Sequence, residues 1–121
     1  MGRKSYSLMS LDEKIFADIE EAKDNWDVDR IKEKIIEYKK KWNLSGLVDE
    51  FGNTPLVRVI HNFSLNKNLS YHLSKFLIKN GVDIKKRSCL YNETALHSAI
   101  SHCKYGICKL LIEHGAASQI N

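Results

Sequence analysis

The sequence lacks the marks of a membrane protein and of a disulfide-stapled one. No apolar run approaches the ~18 residues of a membrane span. Residues 1–7 are basic but lead into acidic Asp12 and Glu13 rather than into an apolar secretory region. The three cysteines are an odd number without paired spacing, which favours a reducing compartment. We therefore expect a cytoplasmic, intracellular protein, with nuclear entry and leaderless secretion into a host left open.

The sequence also lacks motifs of catalysis. It contains no nucleophile elbow, no glycine-rich phosphate loop and no paired acid motif. His102 and Cys103 are adjacent, but neighbours on a helix point about 100° apart and do not form a dyad. His97, His102, Cys103 and Cys108 lack the short pairs that place two zinc ligands together. We predict no enzyme activity, no metal site and no cofactor.

What the sequence does contain is a pattern that occurs twice. The later copy begins at Asn92-Glu93-Thr94-Ala95-Leu96-His97 and ends at Leu110-Leu111-Ile112-Glu113-His114-Gly115. The earlier copy begins at Asn53-Thr54-Pro55-Leu56 and ends at Phe76-Leu77-Ile78-Lys79-Asn80-Gly81. Both resemble a repeat of the ankyrin family, in which a Thr-Pro-Leu-His box opens the first helix and a Leu-Leu-x-x-Gly-Ala box closes the second.

The chemistry of the two boxes supports helix pairs. Thr54 and Thr94 suit helix starts because their hydroxyls can accept a bond from an unpaired N–H. Gly81 and Gly115 follow apolar helices, where a left-handed residue closes the helix. The interval from threonine to glycine is 21 residues in the later copy, as in the family, and 27 in the earlier one. We place the roughly six extra residues in an extended inter-helix loop at the polar run 62–68.

The N-terminal third is predicted to supply a further helix pair, since about three repeats are needed for a continuous core. Ser10 and Glu13 form a capping-box pattern ahead of a helix whose apolar face includes Ile15 and Ile19. A second helix is predicted from about Val28 to Lys41. We expect one domain over 1–121: a degenerate N-terminal capping repeat (11–47) and repeats at 48–84 and 85–121. The fold class is an all-α ankyrin-repeat solenoid of antiparallel helix pairs with short β-hairpin or loop fingers.

The resemblance implies a module that binds another protein through its finger tips and the concave face of its first helices. Carried over to this sequence, the partner-binding residues are Glu50, Phe51, Asn53, His61, Asn62, Leu90, Tyr91, Glu93, Ser101 and His102. Phe51, Leu90 and Tyr91 suit interface anchors, because finger tips need no apolar side chains for folding. The alternative is that they pack onto the adjacent finger. The role is that of an adaptor, effector or inhibitor, or alternatively of an immunity protein neutralising a toxin.

The charge of +4 raises the question of a nucleic-acid partner. Residues 1–48 hold ten basic and ten acidic residues, so the excess lies in residues 49–121. Lys85, Lys86 and Arg87 form the one basic cluster, between the two clear repeats. Three adjacent cations more often form a solvated loop than a phosphate clamp. We therefore favour an acidic protein partner and consider nucleic acid unlikely.

The C-terminal repeat is predicted to expose part of its apolar face. Ile100, Ile107 and Leu111 carry few charges between them, and solenoid ends normally need a polar cap. An exposed apolar patch would permit weak self-association or contact with the partner. The competing interpretation is that Lys104, Lys109 and Glu113 make this face polar enough for a monomer.

Overall fold

The computed structural model describes residues 5–88 and 92–115. These residues form α1 (Leu11–Glu21), α2 (Asn25–Lys39), α3 (Pro55–His61), α4 (Lys67–Lys79), α5 (Ala95–Ser101) and α6 (Tyr105–Glu113). Short 3-10 turns lie at Tyr6–Leu8 and Leu44–Gly46. The all-helical prediction is confirmed. No strand occurs among the described residues, so the predicted β-hairpin fingers are not confirmed. None of the described helices is long and apolar enough to cross a membrane.

The helices form three consecutive pairs arranged in two rows. Within each pair the two helices pack together, as α1 with α2, α3 with α4, and α5 with α6. The first helices of the pairs also pack side by side, α1 on α3 and α3 on α5, and we call them the inner row. The second helices α2, α4 and α6 pack in the same order and form the outer row. A single apolar core runs between the rows.

Local sequence signals fix the helix ends. The Ser10 hydroxyl accepts the N–H of Glu13 at 3.4 Å, and the Glu13 carboxylate accepts the N–H of Ser10 at 3.0 Å, which confirms the capping box. Thr54 Oγ1 accepts the N–H of Val57 at 3.3 Å. His97 Nδ1 accepts the N–H of Thr94 at 3.1 Å. Gly81 has φ +96°, a left-handed conformation that closes α4 without a Cβ penalty.

The predicted helical periodicity matches the core. The largest fully buried side chains come from all six helices and from the segment after α2: Ile15, Ile19, Ile31, Ile35, Leu44, Leu47, Leu56, Ile60, Leu73, Leu77, Leu96 and Leu111. In α1 and α2 these residues recur at steps of four, on the side of each helix that faces its neighbours. The first helix pair is therefore built into the same core as the two clear repeats.

Asn62 is not a surface residue, contrary to its predicted place among the partner contacts. It is 7% exposed. Its amide nitrogen donates to the carbonyls of Ile19 and Ala22 at 2.7 and 2.9 Å. Its amide oxygen accepts the N–H groups of Ser64 and Leu65 at 2.7 and 3.2 Å. All four of these side-chain hydrogen bonds join the end of α1 to the loop after α3, so the role of the Asn62 side chain is structural.

The six extra residues of the second pair do not all lie in its loop. The loop from 62 to 66 is only two residues longer than the loop from 102 to 104. The other four residues lengthen α4, which has 13 residues against 9 in α6. Lys67 and Asn68, predicted in the loop, form the first turn of α4. Asn66 explains this, because its side chain accepts the N–H of Leu69 at 2.8 Å and starts the helix early.

The apolar end face is smaller than predicted. Ile107 and Leu111 are 3% and 0% exposed, because they belong to the core that α6 shares with α4 and α5. Ile100 is 53% exposed, as expected, and Ile112 is 52% exposed. Self-association through Ile107 and Leu111 is therefore ruled out by their burial, and self-association through Ile100 stays a prediction.

Replacing Asn62 by alanine should destabilise the fold. The change leaves two buried carbonyls and two N–H groups without their partner, and we expect a loss of about 2–4 kcal/mol in the free energy of unfolding. Urea unfolding followed by circular dichroism measures it. The exposed Asn68 provides the control, since N68A should change stability by less than about 0.5 kcal/mol. Equal effects of the two changes would contradict the structural role of Asn62.

Candidate functional site

The first finger is a tight turn built around Asp49. Its Oδ1 accepts the N–H groups of both Phe51 and Asn53 at 2.9 Å. Its backbone N–H donates to the carbonyl of Asn53 at 2.9 Å, and Gly52 takes φ +79° to complete the reversal. Hydrogen bonds to the short Asp49 side chain, and not a pair of strands, thus determine the shape of the finger. The finger holds Phe51 at its tip with the side chain 48% exposed.

The second finger is closed in a similar way around Ser88. The N–H of Ser88 donates to the carbonyl of Glu93 at 2.9 Å, and the N–H of Asn92 donates to the carbonyl of Ser88 at 3.0 Å. The guanidinium of Arg87 donates to the carbonyl of Asn92 at 2.9 Å. Asn92 has φ +53°, a conformation that asparagine tolerates better than most residues. These bonds place Glu93 at the start of α5.

The two fingers and the inner row enclose a shallow groove of about 200 Å³, which we call the α3–α5 groove. Its lining residues are Phe51, Asn53, Val57, Arg58, His61, Ser88, Glu93 and Ser98. Four of the predicted contact residues therefore meet in one place, although they come from two fingers and a helix. They are Phe51, Asn53, His61 and Glu93. The groove offers hydrogen-bonding groups beside an exposed aromatic ring.

A second groove, of about 410 Å³, lies between α1 and the first finger and is called the α1–α3 groove. Its lining residues are Met9, Asp12, Glu13, Phe16, Ala17, Glu20, Val48, Asp49, Glu50, Phe51 and Arg58. Phe51 and Arg58 line both grooves, so the two grooves are neighbours along the inner row. Glu50 is the only predicted contact residue found in this groove alone. The acidic character of the α1–α3 groove was not predicted.

The remaining predicted residues are distributed differently. Ser101 is exposed at the end of α5, and His102 caps that helix. Leu90 and Tyr91 lie outside the described residues. Lys85 and Lys86 are exposed and line neither groove. Arg87 is exposed as well, but its guanidinium helps to close the second finger.

His61 and His102 stack at the end of the inner row with ring centroids 4.8 Å apart. The ring of Phe63 lies tilted against His102, with ring centroids 5.4 Å apart, and Phe63 is 83% exposed. His102 Nδ1 donates to the carbonyl of Ser98 at 2.8 Å, while His61 Nε2 lies 3.2 Å from the Ser98 hydroxyl. Phe63 is not among the predicted contact residues, because the run 62–68 is polar by composition and predicts only a loop. A large aromatic residue in such a run was the available signal.

Burial and the neighbouring charges favour the neutral form of His61. Burial lowers the pKa of His61, and the charges of His102, Arg58 and Lys104 lower it further, whereas Glu93 raises it. The pKa of Lys104 is also lowered by burial. Its Nζ donates to the carbonyl of Asn62 at 3.3 Å and to the hydroxyl of Ser70 at 3.4 Å. The neutral imidazole of His61 can therefore donate or accept a hydrogen bond in the groove.

Among the described residues, no three His, Cys, Asp or Glu side chains are arranged so that they could hold a metal ion. Cys103 is exposed and Cys108 is buried, and burial raises the pKa of the Cys108 thiol. A raised pKa disfavours the thiolate, which is the form that binds metal and acts as a nucleophile. Cys89 lies outside the described residues.

Stability should fall as the pH drops through the range in which His61 titrates. Its pKa is lowered in the folded state, so the unfolded chain binds the proton more readily near the ordinary histidine value of ~6.5. The contribution of neutral His61 is fully present above that value and is lost as the pH falls through the folded-state pKa. We expect H61Q to flatten the decline of the melting temperature between about pH 7.5 and 5.5. The same substitution at the exposed His72 serves as the control. A pH dependence of the melting temperature that is unchanged in H61Q would contradict the assignment of the decline to His61.

The comparisons with known proteins agree with this architecture. The family described as "Ankyrin repeats (3 copies)" matches residues 23–121, from the turn before α2 to the end of the chain. No curated protein and no solved structure matches the chain. The matched span covers most of the chain and all helices except α1, and the paired helices joined by finger turns are those of the matched repeats. The chain belongs to the ankyrin-repeat family.

Proposed function

We propose that the protein is a non-catalytic module that binds a protein partner across the fingers and the two grooves of the inner row, as an adaptor, effector or inhibitor. Ankyrin repeats are generally protein–protein interaction modules, and the family is typically non-catalytic. The observation that carries the proposal is the convergence of Phe51, Asn53, His61 and Glu93 on one open groove. These residues are 42 positions apart at the extremes and meet only because the pairs stack.

Phe51 has the properties of an interface anchor. Its ring is half exposed at a finger tip, while its backbone N–H is held by Asp49. The turn is thus ordered before a partner arrives, which reduces the entropy lost on binding. Aromatic side chains bury large areas with few rotatable bonds, and they are common among the residues that dominate binding energy.

The adjacent rings of Phe63, His102 and His61 provide a second contact area at the C-terminal ends of α3 and α5. Phe63 is 83% exposed, which makes it the most exposed large apolar residue described. Its contact with His102 orders the ring without burying it. We propose that the partner spans the inner row from the first finger to this stack, so Phe63 joins the predicted contact residues.

Replacing Phe51 by alanine should weaken partner capture while leaving the fold intact. Truncation of an anchor typically costs about 2 kcal/mol or more in binding. The free energy of unfolding should change by less than about 1 kcal/mol, because the ring is half exposed. Capture of binding proteins from the native cells by the immobilised chain, with identification by mass spectrometry, measures the effect. W26A is the matched control, since Trp26 is an exposed aromatic of the outer row, at 72% against 48% for Phe51. Identical captured sets from F51A and W26A would contradict the proposal.

The basic cluster is not expected to bind nucleic acid. Arg87 donates to the carbonyl of Asn92, so the cluster offers Lys85 and Lys86 as its remaining exposed cations. A gel-shift titration against generic duplex DNA and RNA should give no shift at about micromolar protein, because few phosphate contacts give weak binding at physiological salt. A shift that weakens steeply with salt and is lost in the double variant K85Q/K86Q would overturn this expectation.

A further inference from the structure

We propose that the α1–α3 groove receives a segment of the protein partner in which a lysine or arginine stands next to an apolar residue. The inference rests on the proposed function and specifies the chemistry of the partner. It follows from three properties of the groove: its charge, its apolar floor and its continuation into the α3–α5 groove.

The groove is acidic in a protein whose overall charge is +4. Five carboxylates line it, from Asp12, Glu13, Glu20, Asp49 and Glu50, and Arg58 is the one cation among the lining residues. Clefts lined by charges of one sign focus the local field, so the groove and not the net charge decides which partner approaches it. The local charge selects a cationic group.

Arg58 compensates this charge only in part. Its guanidinium lies 3.7 Å from the Glu20 carboxylate and 3.8 Å from the Asp49 carboxylate. Both distances exceed the ~2.7–2.9 Å of a charge-assisted hydrogen bond. Lys34 and Asp18, on the other side of α1, show the close alternative at 2.9 Å. Arg58 is thus shared between two of the five carboxylates, and the described lining holds more acidic than basic groups.

The lining of the groove is also partly apolar, and this distinguishes it from a plain acidic surface. Met9, Phe16, Ala17 and Val48 line the groove together with the carboxylates, and so does the half-exposed Phe51. Lysine and arginine carry aliphatic stems that lie along apolar surface while the charged head reaches polar groups. A cation can also lie over the face of an aromatic ring. The combination fits a long cationic side chain with an apolar neighbour.

The occupant is best matched by an extended chain segment. The groove shares Phe51 and Arg58 with the α3–α5 groove, so one ligand can run along the inner row through both. The α3–α5 groove offers Asn53, His61, Ser98 and only one carboxylate, Glu93, so it suits uncharged polar groups. The basic part of the segment therefore lies over α1. This reverses the expectation of an acidic partner, which rested on Lys85, Lys86 and Arg87, none of which lines either groove.

A phage-displayed library of random dodecapeptides, selected against the full chain, tests the proposal. We expect the enriched peptides to combine lysine or arginine with a large apolar residue. Their affinity, measured with synthetic peptides by fluorescence anisotropy, should decrease at high salt, as for association between opposite charges. Enriched peptides that are acidic or uncharged, or an absence of enriched peptides, would overturn it.

Charge-matched variants locate the site. E20Q/E50Q should weaken the enriched peptides about threefold or more at low salt, whereas E33Q/E37Q, which removes two exposed carboxylates from α2, should not. A17W should also weaken them, because it fills the groove without changing its charge. Equal effects of E20Q/E50Q and E33Q/E37Q would show that the salt dependence comes from the net charge of the protein, and would overturn the assignment of the α1–α3 groove as the binding site. Circular dichroism establishes that each variant is folded.

The failure of this inference is distinct from the failure of the proposed function. If acidic peptides are enriched and F51A weakens them, the binding module stands and the basic specificity falls. If partner capture is indifferent to F51A and no peptide is enriched, both fall. If basic peptides are enriched and only E20Q/E50Q weakens them, the α1–α3 groove holds the basic segment.

Discussion

The helix pairs of this protein are held in register by polar bonds between their turns. Asn62, at the end of α3, donates to two carbonyls at the end of α1, and its own carbonyl accepts from Lys104, which precedes α6. The three pairs are thus linked turn to turn in a single series. Apolar packing between helices tolerates sliding, whereas a buried amide that has four partners specifies one arrangement. The grooves depend on that register, because their walls come from different pairs.

Residues whose signal is local were predictable, and residues defined by a neighbouring pair were not. Ser10, Thr54 and Gly81 follow rules that operate within a few positions, and the structure places each as expected. Asn62 looked like a loop residue, since nothing nearby in sequence shows that two carbonyls 40 and 43 positions away need its amide. Ile107 has a similar explanation. Its helical spacing identified an apolar face, but only the position of α4 and α5 shows that this face is covered.

The position of the α3–α5 groove was predictable in part, but the chemistry of the neighbouring α1–α3 groove was not. The ankyrin resemblance located Phe51, Asn53, His61 and Glu93, which meet in one groove. The acidic groove was hidden because charge was counted along the chain, where ten basic residues balance ten acidic ones in residues 1–48. Folding sorts them. Asp12 and Glu20 face the groove from α1, while Lys34 lies on α2 and pairs with Asp18 away from it. A charge count assigns no direction to a side chain, but helix packing does.

The separation of rigid and exposed parts supports the proposed recognition surface. Asp49 holds the first finger through two backbone N–H groups, and Arg87 holds the second through a carbonyl. These bonds use polar groups that would otherwise be unpaired, so the first finger can carry an aromatic and a charged side chain that the fold does not require. Such side chains can change without loss of the scaffold. We propose that specificity resides in residues such as Phe51 and Glu50, while the buried polar links keep the grooves that these residues line in place.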